Sequence, residues 1–549
     1  MDATIGTNSW PADEALSRID DVLWTIDLSL QAKAAACVGM HARSLRLLEM
    51  GARRQLADQI FNTNLNDSEK SKRPQEEKKG EETNNDADVE LLKDVLFSLD
   101  DAETLSAVGE KYSSSDDPKV QVRDSIRQKE ASGHYEAALQ DYERALQLRS
   151  EDSRDPTMER GLLQCLLQLG QFESVLNQVT GLVHRRLPNT GATVYSPGTA
   201  HIVPLAVEAA WRLGRWHVLS DLVRQEELSD AHKTSDDEGK YQIAIGAAML
   251  GLHKKDSSLV GNALKDARQA LMQSLSTTAR ESYSRSYSLI VRLHSLREIE
   301  NASESLCKRG SAGSATISDV CQSNEHDGWG WDGRLSYVSA QGATEIINIR
   351  LALARLAEEP NLEGVLFLKL GKQARKSGLY TIAANHFSQS ESKFTQKKMS
   401  DIISCLDDVK MQFAKLKHAT GEGTTALRLL GHDSMQKAFD QMIVDRDDVD
   451  KIIGIATSHE MQRIGSLSLP SSVSTDGDKV IVERFAGRLL QITQWMADGG
   501  LKSGAEIIER YRFVHKLASK WEKGWSSPLV IFVVSQLPLS TFCRTVLFS

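Results

Sequence analysis

The chain has 549 residues, a formal net charge of −9, 40% hydrophobic and 26% charged residues, and only 11 prolines. This composition excludes a disordered chain, because enough apolar surface is available to offset the entropy of ordering. The acidic balance disfavours a nucleic-acid-gripping protein, since phosphate backbones are bound through excess Lys and Arg.

Residues 1–66 are expected to form N-terminal helical repeats, with a degenerate turn at Gly39 followed by Ser44 and Leu48. The first residues, Met1 to Asp13, are polar and carry no secretory signal pattern. Residues 67–90 are predominantly charged and polar, without apolar periodicity, and predict a disordered insert. Lys70, Lys72 and Arg73 within it also fit a nuclear-import signal, although a solvated loop explains them as well.

Residues 91–302 return to a helical pattern. Gly133-His-Tyr135-Glu-Ala-Ala138 runs on through Tyr142 to Ala145-Leu146, the second helix of a tetratricopeptide-like hairpin. Glycine permits the tight turn between the helices, and the small residues let backbones approach. In this reading the aromatic packs back on the first helix. The frame recurs as Gly170 with Val175, Gly214 with Leu219, Gly378 with Ala383, Gly421 with Ala426 and Gly500 with Ala505. Aromatics follow two positions after the glycine at Phe172, Trp216 and Tyr380. Spacings of 37 (133 to 170), 44 (170 to 214) and 43 (378 to 421) residues indicate helix pairs stacked into a superhelix. Leu162, Leu163, Leu166 and Leu167, then Val175, Leu176, Val179 and Leu182, form apolar stripes; so do Tyr287, Leu289, Ile290, Leu293 and Leu296.

Residues 303–328 are rich in Ser, Gly and Asn and predict a flexible loop. Helical repeats continue over 329–524, with a further loop at 465–478. Residues 525–549 are apolar and β-branched, carry Pro528 and Pro538, and have no helical period; they are expected to be an artefact of truncation or gene structure. No uninterrupted apolar run reaches the roughly eighteen residues of a transmembrane helix, so a soluble intracellular protein is expected. The predicted class is all-α, an α–α superhelix of tetratricopeptide- or HEAT-like helix pairs.

The motifs of chemistry are absent from the sequence. There is no phosphate-cradling G-x-x-x-x-G-K-[ST], no G-x-S-x-G elbow, and His459-Glu460 is followed by Arg463 where a zinc helix requires histidine. Kinase signatures are lacking too. Of the six cysteines, Cys37 with His41 and Cys321 with His326 have no second ligand pair; Cys37 and Cys165 lie in apolar helical runs and predict buried free thiols. No catalytic, cofactor-binding or metal-binding residue is therefore assigned. Four Ser/Thr-Gln dipeptides, at Ser388, Thr395, Thr493 and Ser535, match chance expectation.

Several blocks go beyond a generic repeat. They are Gly161-Leu-Leu-Gln-Cys-Leu-Leu-Gln-Leu-Gly170, Val207-Glu-Ala-Ala-Trp211-Arg-Leu-Gly-Arg-Trp216, Val291-Arg-Leu-His294 with Leu296-Arg-Glu298-Ile-Glu300, Leu370-Gly-Lys-Gln-Ala-Arg375-Lys-Ser-Gly378 and Trp521-Glu-Lys-Gly524. In this order they resemble the FAT domain of ATR-like phosphatidylinositol-3-kinase-related Ser/Thr protein kinases, over roughly residues 30–524. The resemblance implies a nuclear protein of DNA-damage, DNA-repair and checkpoint signalling. Its scaffold would support a kinase domain and bind protein partners: that kinase domain, an ATR-interacting regulatory subunit, and a second copy of the chain. It implies ATP and magnesium only in the kinase domain, which would follow Gly524 and is not in this chain. Neither direct nucleic-acid contact nor a membrane is expected. The alternative reading is a stand-alone tetratricopeptide-like interaction adaptor.

Overall fold

A computed structural model describes residues 25–65, 76–99, 101–112, 118–147, 156–186, 193–195, 201–228, 237–279, 282–307, 340–395, 400–444, 449–464 and 475–519. The described residues are almost entirely helical, so the all-α expectation holds. They divide into two compact units, Met1–Ala357 and Glu358–Ser549.

The first unit begins with α1 (Leu28–Cys37), α2 (His41–Leu65), α3 (Glu76–Ser98), α4 (Ala102–Lys111), α5 (Pro118–Ala131) and α6 (Tyr135–Gln147). It continues with α7 (Pro156–Gln168), α8 (Phe172–Val183), α9 (Val203–Leu213), α10 (Trp216–Leu228), α11 (Asp237–Lys254), α12 (Ser257–Thr278), α13 (Tyr283–Cys307) and α14 (Ala340–Leu356). Each helix packs on its successor through most of the unit, and α1 on α3, α3 on α5, α7 on α9, α9 on α11 and α11 on α13. This is the neighbour pattern of stacked helix hairpins. A short antiparallel ribbon, β1 (His184–Arg186) with β2 (Thr193–Tyr195), interrupts it after α8; His184 lies opposite Tyr195. The helical periodicity gave no sign of this ribbon.

The second unit holds α15 (Pro360–Lys376), α16 (Tyr380–Thr395), α17 (Ser400–Ala419), α18 (Gly423–Leu429), α19 (His432–Val444), α20 (Val449–Ile464), α21 (Thr475–Asp498) and α22 (Gly504–Ser519). Phe387, Phe394, Leu368, Ala383, Val409 and Leu416 close one of its cores. A second core gathers Phe439, Met442, Phe485, Leu489, Trp495 and Val514 from α19, α21 and α22.

The glycine frame is realised at every one of its turn glycines. Gly39, Gly133, Gly170, Gly214, Gly378, Gly421 and Gly500 all have positive φ, between 62° and 84°. There glycine meets no Cβ penalty, and the following amide can close the helix end. His134 N–H donates to Lys129 C=O at 2.8 Å and Gln171 N–H to Leu166 C=O at 2.9 Å, the six-to-one bond of a Schellman turn. Ser44, Ala138, Val175, Leu219, Ala383 and Ala426, five residues after their glycines, are all fully buried. Ala505 is the exception and is exposed. After Gly500 the chain spends Leu501, Lys502 and Ser503 in a loop before α22 starts at Gly504, which shifts the helical phase.

Other expectations need correction. The charged insert expected over 67–90 is helix from Glu76, continuous with the segment that buries Val95 and Leu96. The loop expected from 303 begins later, since α13 runs to Cys307 with Ala302 and Leu306 buried. Ser303 is accommodated by donating to Glu300 C=O at 2.7 Å. Likewise α21 begins at Thr475, inside the loop expected at 465–478. Ile290 is 39% exposed, and the buried face of α13 runs instead through Leu289, Leu296 and Ile299. Cys37 is exposed, because it ends α1 at a turn, whereas Cys165 is buried. Residues 66–75, 308–339, 465–474 and the tail 525–549 lie outside the described residues, as do Lys70, Lys72, Arg73 and Cys321.

Candidate functional site

Two sequence blocks place Val207–Leu213 on α9 and Val291–Glu300 on α13, and Glu208, Arg212, Arg292 and Glu298 among them enter a largely buried cluster in the first unit. Helix α9 is apolar on nearly every face, with Val203 to Trp211 all buried. A charged residue on such a helix must find a partner within the protein. Glu208 accepts from Arg212 one turn on, and Arg212 also stacks over Phe172 of α8 at 5.3 Å. The carbonyl of Arg212 accepts from Arg355 of α14.

On α13, Arg292 pairs with Glu238 of α11 and lies 3.6 Å from Glu345 of α14. Its guanidinium sits 5.2 Å above the ring of Tyr241, which is itself buried and donates to Glu345 at 3.5 Å. Two turns further, Glu298 accepts from the buried Arg350 at 2.7 Å. Glu300 accepts from Arg268 of α12 at 2.9 Å and from Arg297 at 2.8 Å. Helices α9, α11, α12, α13 and α14 are thereby registered by charge as well as by apolar packing. Arginine suits this task because its planar fork can serve two carboxylates at once.

The electrostatics are uneven. Burial pushes Glu208 above the usual carboxylate range, against the pull of Arg212. Burial also raises Glu345, with Glu208 and Glu238 adding like-charge repulsion to oppose Arg292. Burial disfavours the charge on Arg292, yet Glu238 and Glu345 outweigh it and raise its pKa. Three carboxylates thus share two guanidiniums. A carboxyl with a raised folded-state pKa binds its proton more tightly when folded, so folding gains from acid. Its contribution is fully present below the ordinary glutamate value of 4.5 and is lost as pH climbs through the raised value. Glu208→Gln is expected to flatten the stability profile above the ordinary glutamate value relative to the parent. Parallel slopes in urea titrations of the two proteins would show that Glu208 ionises normally.

A second, independent cluster lies in α5–α7. Tyr142 OH donates to Glu130 at 2.9 Å, and Cys165 Sγ donates to the same oxygen at 3.1 Å. Burial raises Glu130 despite these two bonds, and burial with the adjacent Glu130 raises both the phenol and the thiol. A thiol so raised is a poor nucleophile.

In the second unit Arg488 of α21, 2% exposed, donates to Asp407 of α17 at 2.5 Å and to the fully buried Glu460 of α20 at 2.8 Å. Arg510 of α22 donates to Gln436 of α19 and stacks 4.5 Å above Phe439.

Two aromatics of the repeat frame act differently from expectation. Phe172 and Trp216 reach forward to the next hairpin, Phe172 under Arg212 and Trp216 stacked on His253 at 4.8 Å. The forward contact joins repeats, where the sequence pattern suggested a bond within one hairpin. Arg285 of α13 donates to Gly39 C=O at 2.8 Å, so the first unit also closes on its own N-terminal hairpin. Nothing in the sequence pointed to a contact spanning that much chain. Among the described residues no group of three or more His, Cys, Asp or Glu side chains could hold a metal ion, and no helix is long and apolar enough to cross a membrane.

Stacked helix hairpins, joined by buried ion clusters and forward-reaching aromatics, define a helical-repeat scaffold. The FAT domain model matches residues 203–532, from the start of α9 onward. The chain belongs to the FAT-domain family. It is 22% identical over 512 residues to the serine/threonine-protein kinase ATR of Oryza sativa subsp. indica, which covers 93% of this chain and 17% of that protein. It is 24% identical over 457 residues to ATR of Arabidopsis thaliana, covering 80% of this chain and 15% of that one. The serine/threonine-protein kinase TOR of the same plant matches at 23% over 379 residues, 66% of this chain and 14% of the relative. The chain thus spans about a sixth of the length of the ATR proteins it matches. The solved yeast Tom70 aligns over 95% of this chain and 98% of its own at 11% identity, with a TM-score of 0.18, which carries no weight for the fold.

Proposed function

We propose that this chain is the scaffold segment of an ATR-like checkpoint kinase, supporting and regulating a Ser/Thr kinase domain in the nuclear response to DNA damage and replication stress. One observation carries the reading. The blocks that resemble ATR-like FAT domains supply Arg292 and Glu298, which tie α13 to α11 and α14, and Arg212, which pairs with Glu208 within α9 and whose carbonyl accepts from Arg355 of α14. The ATR alignment extends over 93% of the chain, against 66% for plant TOR, which favours ATR-like signalling over growth signalling.

In this reading the scaffold acts mechanically. A stack of hairpins holds its neighbours in fixed register, and a kinase domain resting against it loses conformational freedom it would otherwise have. ATP and magnesium serve the kinase domain and touch no residue of this chain. Protein partners, including a regulatory subunit and a second copy of the scaffold, dock on the helical surface. Co-expression with the catalytic domain of a plant ATR tests the reading. The two are expected to co-elute as one complex in size-exclusion chromatography. Separate elution at micromolar concentrations, or equal co-elution with a plant TOR catalytic domain, would contradict it.

A further inference from the structure

Most partly buried cations of the described residues are matched by carboxylates. Lys93 pairs with Glu90 and Asp124, Lys393 with Glu363, and Arg488 with Asp407 and Glu460. One group in the second unit departs from this rule. Helix α15 carries Lys372, Arg375 and Lys376 near its C-terminal end, and α17, which packs on it, brings Lys415 against them. None of the four enters an ion pair with a described residue, and the Nε of Arg375 is buried with no hydrogen-bond partner. Lys415 is half-buried, and its pKa is lowered by burial first and then by Arg375 and Lys372, while Asp408 pulls the other way.

The α15 macrodipole accounts for part of this. Arg375 and Lys376 occupy the last helical turn, where cations are stabilised by the exposed carbonyls. It does not account for Lys372, which lies outside that turn, nor for Lys415 on another helix. Holding four like charges together with no ion pair among them costs free energy in a chain that is acidic overall. Such a face is complementary to negative charge. Lys372 to Lys376 spans only about 6 Å of helix axis, too short for the extended basic track that follows a nucleic-acid backbone, but matched to two or three carboxylates of a peptide.

We propose that Lys372, Arg375 and Lys376 of α15 and Lys415 of α17 form a docking face for a carboxylate-rich segment of a partner protein. The inference is independent of which kinase the scaffold serves.

The test uses the whole chain and a short fluorescein-labelled peptide alternating Glu and Gly, with a Gln–Gly peptide as its neutral counterpart. Fluorescence anisotropy is expected to show binding of the Glu peptide alone, weakened as salt rises. The double variant Lys372→Gln/Lys415→Gln is expected to bind at least about tenfold more weakly. Lys254→Gln/Lys437→Gln removes the same charge from exposed positions elsewhere and should leave affinity within about twofold. Lys372→Arg/Lys415→Arg, which keeps the charge, should retain binding. Lys415→Gln should melt no lower than the parent, because it relieves repulsion; a purely structural lysine would lose stability instead. Equal weakening by both Gln double variants, binding of the neutral peptide, or tighter binding of single-stranded DNA of equal charge would overturn the proposal. So would displacement of the peptide by inorganic phosphate at equal charge concentration.

Discussion

Arg488→Ala is expected to destabilise the second unit by about 3–5 kcal/mol, because it takes from two carboxylates the buried guanidinium that now bridges them. Glu460 is fully buried and Asp407 nearly so, with side-chain exposures of 0% and 15%. The loss exceeds the worth of the contact itself, since the buried carboxylate of Glu460 loses its closest cation and stays desolvated. Removing both sides of the buried pair should therefore recover much of it. Arg488→Met with Glu460→Leu leaves only Asp407, which still reaches water. Urea denaturation of the three proteins checks this, with midpoints converted at a common slope. A single-variant loss below about 1 kcal/mol would mean that the cluster behaves as a surface pair.

Gly161→Ala is expected to cost about 1–3 kcal/mol in spite of improving helix propensity. A Cβ on Gly161 would stand 2.0 Å from the hydroxyl of Tyr142 and 2.6 Å from its Cζ. The ring would have to move, and it is held by a 2.9 Å bond to the partly buried Glu130. Two effects oppose each other here. Replacing glycine within a helix gains up to about 1 kcal/mol, while overpacking and the loss of a partner for Glu130 each cost about 1–3 kcal/mol, so the clash wins. Tyr142→Phe removes the atom nearest to the new methyl. The double variant should accordingly be less damaged than the sum of the singles. Additive losses in a double-mutant cycle would show that the clash is relieved elsewhere.

The hairpin turns were legible because glycine at positive φ is a chemical requirement with few substitutes, and seven of the predicted turn glycines have it. Where another residue takes that conformation the signal vanishes. Lys255 and Glu358 both have φ of 59°, and the turn after α11 was missed for that reason. The second turn glycine of α18, Gly431, was missed because α18 is only seven residues long and falls below a repeat. Composition misread Glu76 to Asp88, since charged helix formers resemble a disordered run when no apolar stripe accompanies them.

The candidate site was half legible. Glu208, Arg212, Arg292 and Glu298 all stood in the blocks that carried the family resemblance. Their pairing could not be read from the sequence. Glu238, Glu345 and Arg350 lie on other helices, at separations that no periodicity relates. The basic face of α15 and α17 has the same origin: Lys415 comes near Lys372 and Arg375 only because α17 packs back on α15.

The scaffold reading rests most directly on one rate. The phosphoryl-transfer rate of a plant ATR catalytic domain on a protein substrate should be measured alone and with this chain bound in trans. The rate is expected to rise on binding, and to rise less when Arg292→Met loosens α13 from α11 and α14. An unchanged rate with the complex formed, or the same rise with the Arg292 variant, would contradict the scaffold reading.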